Sequence, residues 1–240
     1  MNKIKSIAWK EFNTFFDSLT GYIILIVFLA ITGFFTWLSG NNIIYLGQAD
    51  LILFFSIAFW ALFFFIPALT MRTFAEEQNK GTLELLLTHP VSFTQVVLGK
   101  FIGIFLLILV ALSLTLVYYI VLVFIGSVDH GVTITGYLGL LLVSIAYISI
   151  GIFASSLTRN QVIAFLVALA IGIFFQFVFD ILSSLSSGWL AELFSFLSFN
   201  VHYQDFARGV IEFKSVLYLF TISLLALGLS IFNLYSSRYK

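Results

Sequence analysis

The chain has 240 residues, of which 61% are hydrophobic and 9% are charged. So little polar surface cannot cover a water-soluble globule of this size, which excludes a soluble fold. The formal net charge is zero. Nucleic-acid partners require a basic surface, so none is expected. The absence of cysteine excludes a thiol nucleophile, a disulfide framework and a thiolate metal site.

The first 20 residues form an amphipathic helical pattern. One arc is apolar and contains Ile4, Ile7, Ala8, Phe12, Phe15, Phe16 and Leu19. Lys5 and Glu11 interrupt the edges of this arc, where long stems can reach water. A helix of this kind lies along the membrane surface, in contact with lipid. The pattern predicts an interfacial helix over residues 1–20, as a passive anchor or as a docking element for a partner.

Six apolar runs of about 20 residues follow, each long enough to cross a hydrocarbon core of roughly 30 Å as a helix. They are centred on residues 22–38, 51–70, 101–125, 137–157, 162–179 and 216–235. Spanning helices satisfy their own backbone hydrogen bonds in lipid. The sequence therefore predicts an all-α polytopic membrane protein that forms a single transmembrane domain over residues 1–240.

The distribution of basic residues predicts the orientation of these spans. Nine of them fall in segments on one side, namely Lys3, Lys5, Lys10, Arg72, Lys80, Lys100, Arg159, Arg238 and Lys240. Arg208 and Lys214 fall on the other side. This asymmetry predicts that both termini are cytoplasmic. Because no ionisable residue falls in the middle of a predicted span, a transporter driven by protons or sodium is disfavoured.

A cytoplasmic loop over residues 71–100 is long for a helix connection. Gly81 can end a preceding helix, and Thr82 can then cap a short helix over residues 83–87. Pro90 would stop that helix. The loop is therefore predicted to have ordered structure of its own.

Polar residues flank this short helix on both sides. Glu76, Glu77 and Lys80 precede it, while Ser92 and Gln95 have the spacing of a capping box that opens the next helix. A short apolar helix held between two long helices is suited to fit a socket in another protein. The alternative is a loop that folds against its own helix ends.

Two stretches resemble a known family. Residues 72–92 contain an acidic pair, Gly-Thr-Leu-Glu and Leu-Leu-Thr-x-Pro, and resemble the loop after the second span of ABC-2 type permeases, the transmembrane subunits of many ATP-binding-cassette exporters. Residues 202–212 look like a second pattern of that family, with Glu212 where Asp is expected. The resemblance covers essentially the whole chain, and it suggests relatives among gliding-motility-associated permeases and similar permeases of copper-enzyme maturation systems.

The resemblance implies a function and partners. It implies a permease subunit of an exporter in the bacterial inner membrane, driven by a separate cytoplasmic ABC ATPase dimer and paired with a second permease that is identical or paralogous. The residues implied in ATPase coupling are Glu76, Glu77, Gly81, Thr82, Leu83, Glu84, Leu86 and Pro90. The alternative is a membrane scaffold that transmits ATPase motion to a periplasmic partner without transport.

The outer segment over residues 181–215 is aromatic and rich in serine, and it is predicted to enter the membrane interface. Within it, His202, Asp205, Arg208 and Glu212 are spaced three or four apart, so a helix would place them in one ladder of charge pairs. The resemblance suggests short outer helices that narrow an exit. A structural lattice that secures the sixth span is the alternative.

The fifth predicted span carries Ala164, Ala168 and Gly172 at intervals of four. Small residues at this spacing let two helices approach closely in a membrane. The stripe predicts either a seam between two subunits or packing within one.

The sequence offers no catalytic or cofactor site. Gly131 and Gly136 have the spacing of a phosphate loop, but Tyr137 stands where lysine is required. The three histidines are dispersed and lack a metal-ligand pattern. No span contains a histidine that could assist an intramembrane protease. We therefore expect no metal, no cofactor and no enzymatic activity in this chain, with ATP hydrolysis confined to a separate subunit.

Overall fold

The structure is a computed structural model that describes residues 3–38, 50–82 and 91–237. Within those ranges every regular element is helical, which confirms the all-α prediction. The α-helices in chain order are α1 (Lys3–Asp17), α2 (Leu19–Trp37), α3 (Ile52–Thr70), α4 (Ala75–Asn79), α5 (Phe93–Ile125), α6 (His130–Ser156), α7 (Gln161–Ile173), α8 (Phe179–Leu185), α9 (Trp189–Leu197), α10 (Phe199–Ala207) and α11 (Phe213–Ser237). A π-helical turn (Phe174–Val178) joins α7 to α8.

Six helical stretches in the described ranges are long and apolar enough to cross a membrane, and this number confirms the prediction. In order, the first to sixth spans are Leu19–Trp37, Ile52–Asn79, Phe93–Ile125, His130–Ser156, Gln161–Leu185 and Phe213–Ser236. The sequence and the structure therefore agree on a six-span architecture.

Five of the six spans begin earlier than their apolar runs. The third span starts at Phe93 rather than at residue 101, because the predicted capping box between Ser92 and Gln95 forms there and starts the helix. The fourth starts at His130, where the Asp129 side chain accepts hydrogen bonds from two backbone N–H groups of the first turn. An apolar run marks the part of a helix that crosses lipid, whereas a cap marks where the helix begins.

The fourth span is the centre of the bundle. Within its most apolar window, 72% of the residues are buried inside the chain, compared with 28% in the first span and 22% in the fifth. Glycines let its neighbours approach closely. A Cβ atom on Gly139 would lie 2.6 Å from the Phe206 Cβ, and one on Gly151 would overlap the Thr70 side chain. α6 therefore holds both α10 and the end of α3.

The amphipathic helix α1 packs along the start of α5. Gly99 and Gly103 of α5 face it, and a Cβ atom on Gly103 would lie 2.9 Å from the Ala8 carbonyl oxygen. Trp9 points outward and is 59% exposed. The helix ends at Asp17 rather than at residue 20. One side of α1 is thus covered by a span, while the other remains outside the bundle.

Three short helices, α8 to α10, occupy the predicted outer segment. α8 and α9 contain no buried residue, whereas α10 buries Phe199, His202, Tyr203 and Phe206. The Tyr203 hydroxyl donates to the Phe55 carbonyl at 3.0 Å, and its ring stacks on Phe59 at 4.3 Å. α10 therefore folds back among the spans, near the start of the second and fourth. Because consecutive spans alternate in direction, this end of the bundle is opposite α1.

Candidate coupling site at the α1 end of the bundle

A buried lysine joins three elements at the α1 end. Lys100 of α5 is only 3% exposed. Its Nζ atom lies 2.7 Å from Glu77 Oε1, donates to the Thr73 carbonyl at 2.7 Å, and is 3.6 Å from Glu11 Oε2. It also lies 5.1 Å from the centre of the Phe74 ring. We call these five residues the Lys100 cluster; it connects α1, the end of the second span, and the third span.

The Lys100 cluster has two carboxylates for one ammonium group. Glu77 Oε2 and Thr73 Oγ1 are buried without a hydrogen-bond partner among the described residues. Burial raises the pKa of Glu11; Lys100 opposes this rise, and the nearby charge of Glu77 adds to it. Glu11 is therefore more easily protonated than a glutamate in water.

A serine of the fourth span positions the segment that carries Glu77. The Ser155 hydroxyl oxygen accepts hydrogen bonds from the backbone N–H groups of Phe74 and Ala75, at 3.0 and 3.1 Å, and donates to the Met71 carbonyl at 3.0 Å. These groups lie where the chain turns from α3 into α4, and the turn would otherwise leave its N–H groups unpaired in a buried place. Ser155 thereby fixes the direction of α4.

Further hydrogen bonds extend this arrangement to two other spans. The Gln78 side-chain amide donates to the Ser156 carbonyl at 3.0 Å, and the Asn233 side chain of α11 donates to the same carbonyl at 2.6 Å. Arg72 donates to the Thr20 hydroxyl of α2 at 3.3 Å. The first and fourth spans thus bond to residues 72–78 directly, and the sixth span shares the Ser156 carbonyl with Gln78.

Four of the residues implied in ATPase coupling lie in the described part of the chain, namely Glu76, Glu77, Gly81 and Thr82. The two glutamates among them have different partners. Glu77 points inward to Lys100, whereas Glu76 forms an exposed pair with Lys80 at 2.6 Å. Gly81 follows α4 with φ at 67°, as a glycine at a helix end does, and the Thr82 hydroxyl donates to the Glu77 carbonyl at 3.4 Å. The other four, Leu83, Glu84, Leu86 and Pro90, lie outside the described residues.

The predicted ladder at the other end does not form. α10 ends at Ala207 and the chain turns at Gly209, with φ at 92°, so Glu212 lies beyond the helix that carries His202 and Asp205. Arg208 donates to the Gln204 side chain instead, at 3.4 Å. Among the described residues, no ion pair joins any two of the four predicted members. The helix breaks because a glycine in the left-handed region ends it.

His202 connects two helices at this end of the bundle. Its Nε2 atom lies 2.8 Å from the Phe196 carbonyl and its Nδ1 atom lies 2.8 Å from the Ser215 hydroxyl. Its imidazole ring therefore ties the end of α9 to the start of the sixth span. Burial lowers the pKa of His202.

The stripe of small residues on the fifth span packs within the chain. Ala164 and Ala168 are 1% and 3% exposed. A Cβ atom on Gly172 would lie 2.7 Å from the Phe63 ring of the second span and 3.6 Å from the Tyr147 ring of the fourth. The stripe therefore receives the second and fourth spans of the same chain.

Sequence reasoning missed Lys100 and Ser155. Lys100 was assigned to a loop because it precedes an apolar run, although the capping box at Ser92 already predicts a helix that contains it. Glu11 was expected to reach water, but its side chain is 21% exposed and faces Lys100. The position of Glu11 at the edge of the apolar arc of α1 was the sequence signal that could have predicted a buried basic partner.

The comparison with family models identifies the chain. The model described as "ABC-2 family transporter protein" matches residues 5–234. The chain belongs to the ABC-2 transporter family. This match supports the general family and does not extend to the gliding-motility permeases. A search of curated proteins gave no match.

Membership of the ABC-2 family makes the chain a membrane transport component and implies association with an ABC ATPase. The matched region contains the Lys100 cluster, the first five spans and the sixth span as far as Leu234. In this ABC-2 family protein, the Lys100 cluster joins α1, the end of the second span and the third span.

Proposed function

We propose that this ABC-2 family protein is the permease subunit of an ATP-driven exporter in the bacterial inner membrane. Both termini would be cytoplasmic, and the subunit would work with a second, identical or paralogous permease and a dimeric ATPase. The observation that carries the proposal is the Lys100 cluster, which ties the end of the second span to α1 and to the third span. A permease that receives motion from outside the bilayer needs such a tie.

The electrostatics of the Lys100 cluster supports force transmission. Separating a buried ammonium group from its carboxylate leaves an uncompensated charge, at a cost of about 3–5 kcal/mol. The hydrogen bonds of Ser155 to the backbone around Phe74 add to this. A displacement of α4 is therefore passed to the third and fourth spans rather than absorbed in the loop, because packed elements move as units.

The orientation is supported by the charge distribution around this end. Lys5, Lys10, Arg72, Lys80 and Arg159 lie near the α1 end of the spans, whereas Arg208 and Lys214 lie at the α10 end. Loops enriched in Lys and Arg stay in the cytoplasm. The ATPase would thus meet α1 and the loop over residues 71–100.

Three lysine variants test the proposal. Lys100→Met should leave Glu77 and Glu11 as unpaired like charges, and Lys80→Met is the matched control because it removes an exposed lysine from the same segment. The chain is purified with its ATPase in nanodiscs, and the stimulated hydrolysis rate is measured. We expect Lys80→Met to behave as wild type, Lys100→Met to lose stimulation, and Lys100→Arg to retain part of it.

Two results would contradict the proposal. If no ABC ATPase co-purifies with the wild-type chain from native membranes, the chain is not a permease subunit of this kind. If the ATPase co-purifies and Lys100→Met stimulates hydrolysis as wild type does, the Lys100 cluster does not carry the coupling.

A further inference from the structure

The fifth span changes its helical winding at residues 174–178. The Phe179 N–H donates to the carbonyl of Phe174, five residues earlier, whereas α7 before it and α8 after it are α-helical. π-helical turns of this kind are rare and occur mostly as single insertions within α-helices. Such a turn contains one residue more than the α-helix needs, so it has a nearby alternative winding.

A buried polar pair holds this turn. Gln176, in its middle, is 2% exposed, and the Tyr147 hydroxyl of the fourth span donates to Gln176 Oε1. The Nε2 atom of Gln176 is buried without a hydrogen-bond partner among the described residues. A buried donor without a partner is unfavourable. The turn is therefore held in place by Tyr147 while one of its own groups remains unsatisfied.

The fifth span packs on the bundle before and within this turn, where the Phe177 ring lies 4.7 Å from the Trp60 ring of the second span, and from the turn onward it also contacts α10. Before it, Gly172 lies against Phe63 and Tyr147 of the bundle. From the turn onward, Phe175 stacks on Phe199 of α10 at 4.9 Å, and the Asp180 carboxylate accepts from the Asn200 amide at 3.1 Å. The turn is thus the junction between the bundle and the α10 end.

The two short helices that follow are much less buried than α10. α8 and α9 contain no buried residue, and the Ser183 hydroxyl donates to the Ala191 carbonyl at 3.2 Å, which joins them as a hairpin. Leu185 and Trp189 at its tip are 79% and 71% exposed. By contrast, α10 is fixed to the second span through Tyr203. The hairpin is therefore attached to the bundle through the π-helical turn at one end and through α10 at the other. The surface of α8 and α9 between these attachments is largely exposed.

We propose that the π-helical turn is a conformational joint on which the α8–α9 hairpin moves relative to α10, with the Tyr147–Gln176 hydrogen bond as its latch. Rewinding the turn to an α-helix would rotate the following residues by about 100° relative to α7. That rotation breaks the contact between Asp180 and Asn200 while the hairpin stays intact. The proposal rests on the proposed function, because the ATPase would supply the motion.

Introduced cysteine pairs can follow this motion, because the chain contains no cysteine of its own. Asp180→Cys with Asn200→Cys reports the contact between the hairpin and α10, and Ser183→Cys with Ala191→Cys reports the hairpin itself. Both pairs are oxidised in the complex with its ATPase, without nucleotide and after trapping with ATP and vanadate. We expect trapping to lower cross-linking of the 180–200 pair about fivefold, because the loss of one hydrogen bond shifts the ratio of two conformations by roughly that factor. Cross-linking of the 183–191 pair should stay unchanged.

Two variants address the latch and the turn. Tyr147→Phe removes only the hydroxyl and should lower cross-linking of the 180–200 pair without nucleotide, also in the isolated permease. Deletion of Val178 removes the extra residue and should give low cross-linking in every state. The stimulated ATPase rate of the same samples reports the proposed function separately.

The joint is refuted if the 180–200 pair cross-links equally in both nucleotide states and in Tyr147→Phe. It is also refuted if the 183–191 pair changes as much as the 180–200 pair, because the hairpin would then be unfolding. If no ATPase binds but Tyr147→Phe still lowers cross-linking, the joint stands and the proposed function fails.

Discussion

Lys100 has two acidic partners that differ in distance and in environment. Glu77 Oε1 lies 2.7 Å from its ammonium group, whereas Glu11 Oε2 lies 3.6 Å away and burial raises the pKa of Glu11. At Glu11 the cost of removing a carboxylate from water therefore exceeds the benefit of the lysine. The two glutamates should respond differently to neutralisation.

We predict that Glu77→Gln destabilises the protein by about 2 kcal/mol, because it removes the close charge-assisted hydrogen bond of Lys100. Because the pKa of Glu11 is raised in the folded state, this carboxyl group stabilises the protein at low pH, and that contribution is lost as the pH rises through the folded-state pKa. Glu11→Gln should therefore be neutral or stabilising at neutral pH. Thermal unfolding of both variants in detergent is the measurement. Equal destabilisation by both would contradict the assignment.

His202 at the other end has the opposite pH dependence. Burial lowers its pKa, and the nearby charge of Lys214 contributes in the same direction, while Asp205 and Glu212 oppose it. Because the folded-state pKa lies below that of the unfolded chain, the unfolded state binds more protons as the pH falls. The stability contribution of His202 is present above a pH of about 6.5 and is lost as the pH falls through its folded-state pKa.

We therefore predict that His202→Gln reduces the loss of thermal stability between about pH 7.5 and about pH 5. The matched control is His130→Gln, because His130 is an exposed histidine near the same end of the bundle. The unfolding temperature of each variant is measured at both pH values. A pH dependence that His202→Gln leaves as large as in wild type would show that this histidine does not titrate on unfolding.

At the level of elements, the turn from α3 into α4 depends on one hydroxyl group. Ser155→Ala would leave the buried N–H groups of Phe74 and Ala75 without an acceptor, and we predict a destabilisation of about 2–4 kcal/mol. Ser149→Ala in the same helix is the control, because among the described residues the Ser149 hydroxyl bonds only to the Ile145 carbonyl of its own helix. Its loss should therefore cost less than about 1 kcal/mol. The free energies of unfolding are compared in one detergent. Similar values for both serines would refute the role of Ser155.

The sequence predicted features that depend on residues close together in the chain, and it missed contacts between residues far apart in the chain. The six spans follow from apolar length, because lipid tolerates little else, and the capping box at Ser92 was correctly predicted because its partners are three residues apart. Ser155 and Phe74 are 81 residues apart, and no pattern within either segment indicates their contact. The π-helical turn likewise depends on Tyr147, which lies in another span. The candidate site was therefore only half visible in the sequence, through Glu77 and Glu11.

For the whole molecule, the two ends of the bundle have different characters. The α1 end concentrates basic residues and a buried ion cluster, whereas the α10 end is closed by a helix rich in aromatic side chains. The fourth span connects these two ends, because it contacts both the turn at Ser155 and the helix α10. The orientation of these ends in the membrane decides whether an ATPase can reach the site.

Labelling of single cysteines tests that orientation. Ser187, between α8 and α9, and Lys80, after α4, are both exposed and lie at opposite ends of the bundle. Replacing Lys80 removes only a surface ion pair, which contributes little. We predict that Ser187→Cys in intact cells reacts with a membrane-impermeant maleimide, whereas Lys80→Cys reacts only after permeabilisation, because basic residues keep the α1 end in the cytoplasm. The reverse labelling pattern would place the Lys100 cluster outside the cell, where no ATP is available to drive it.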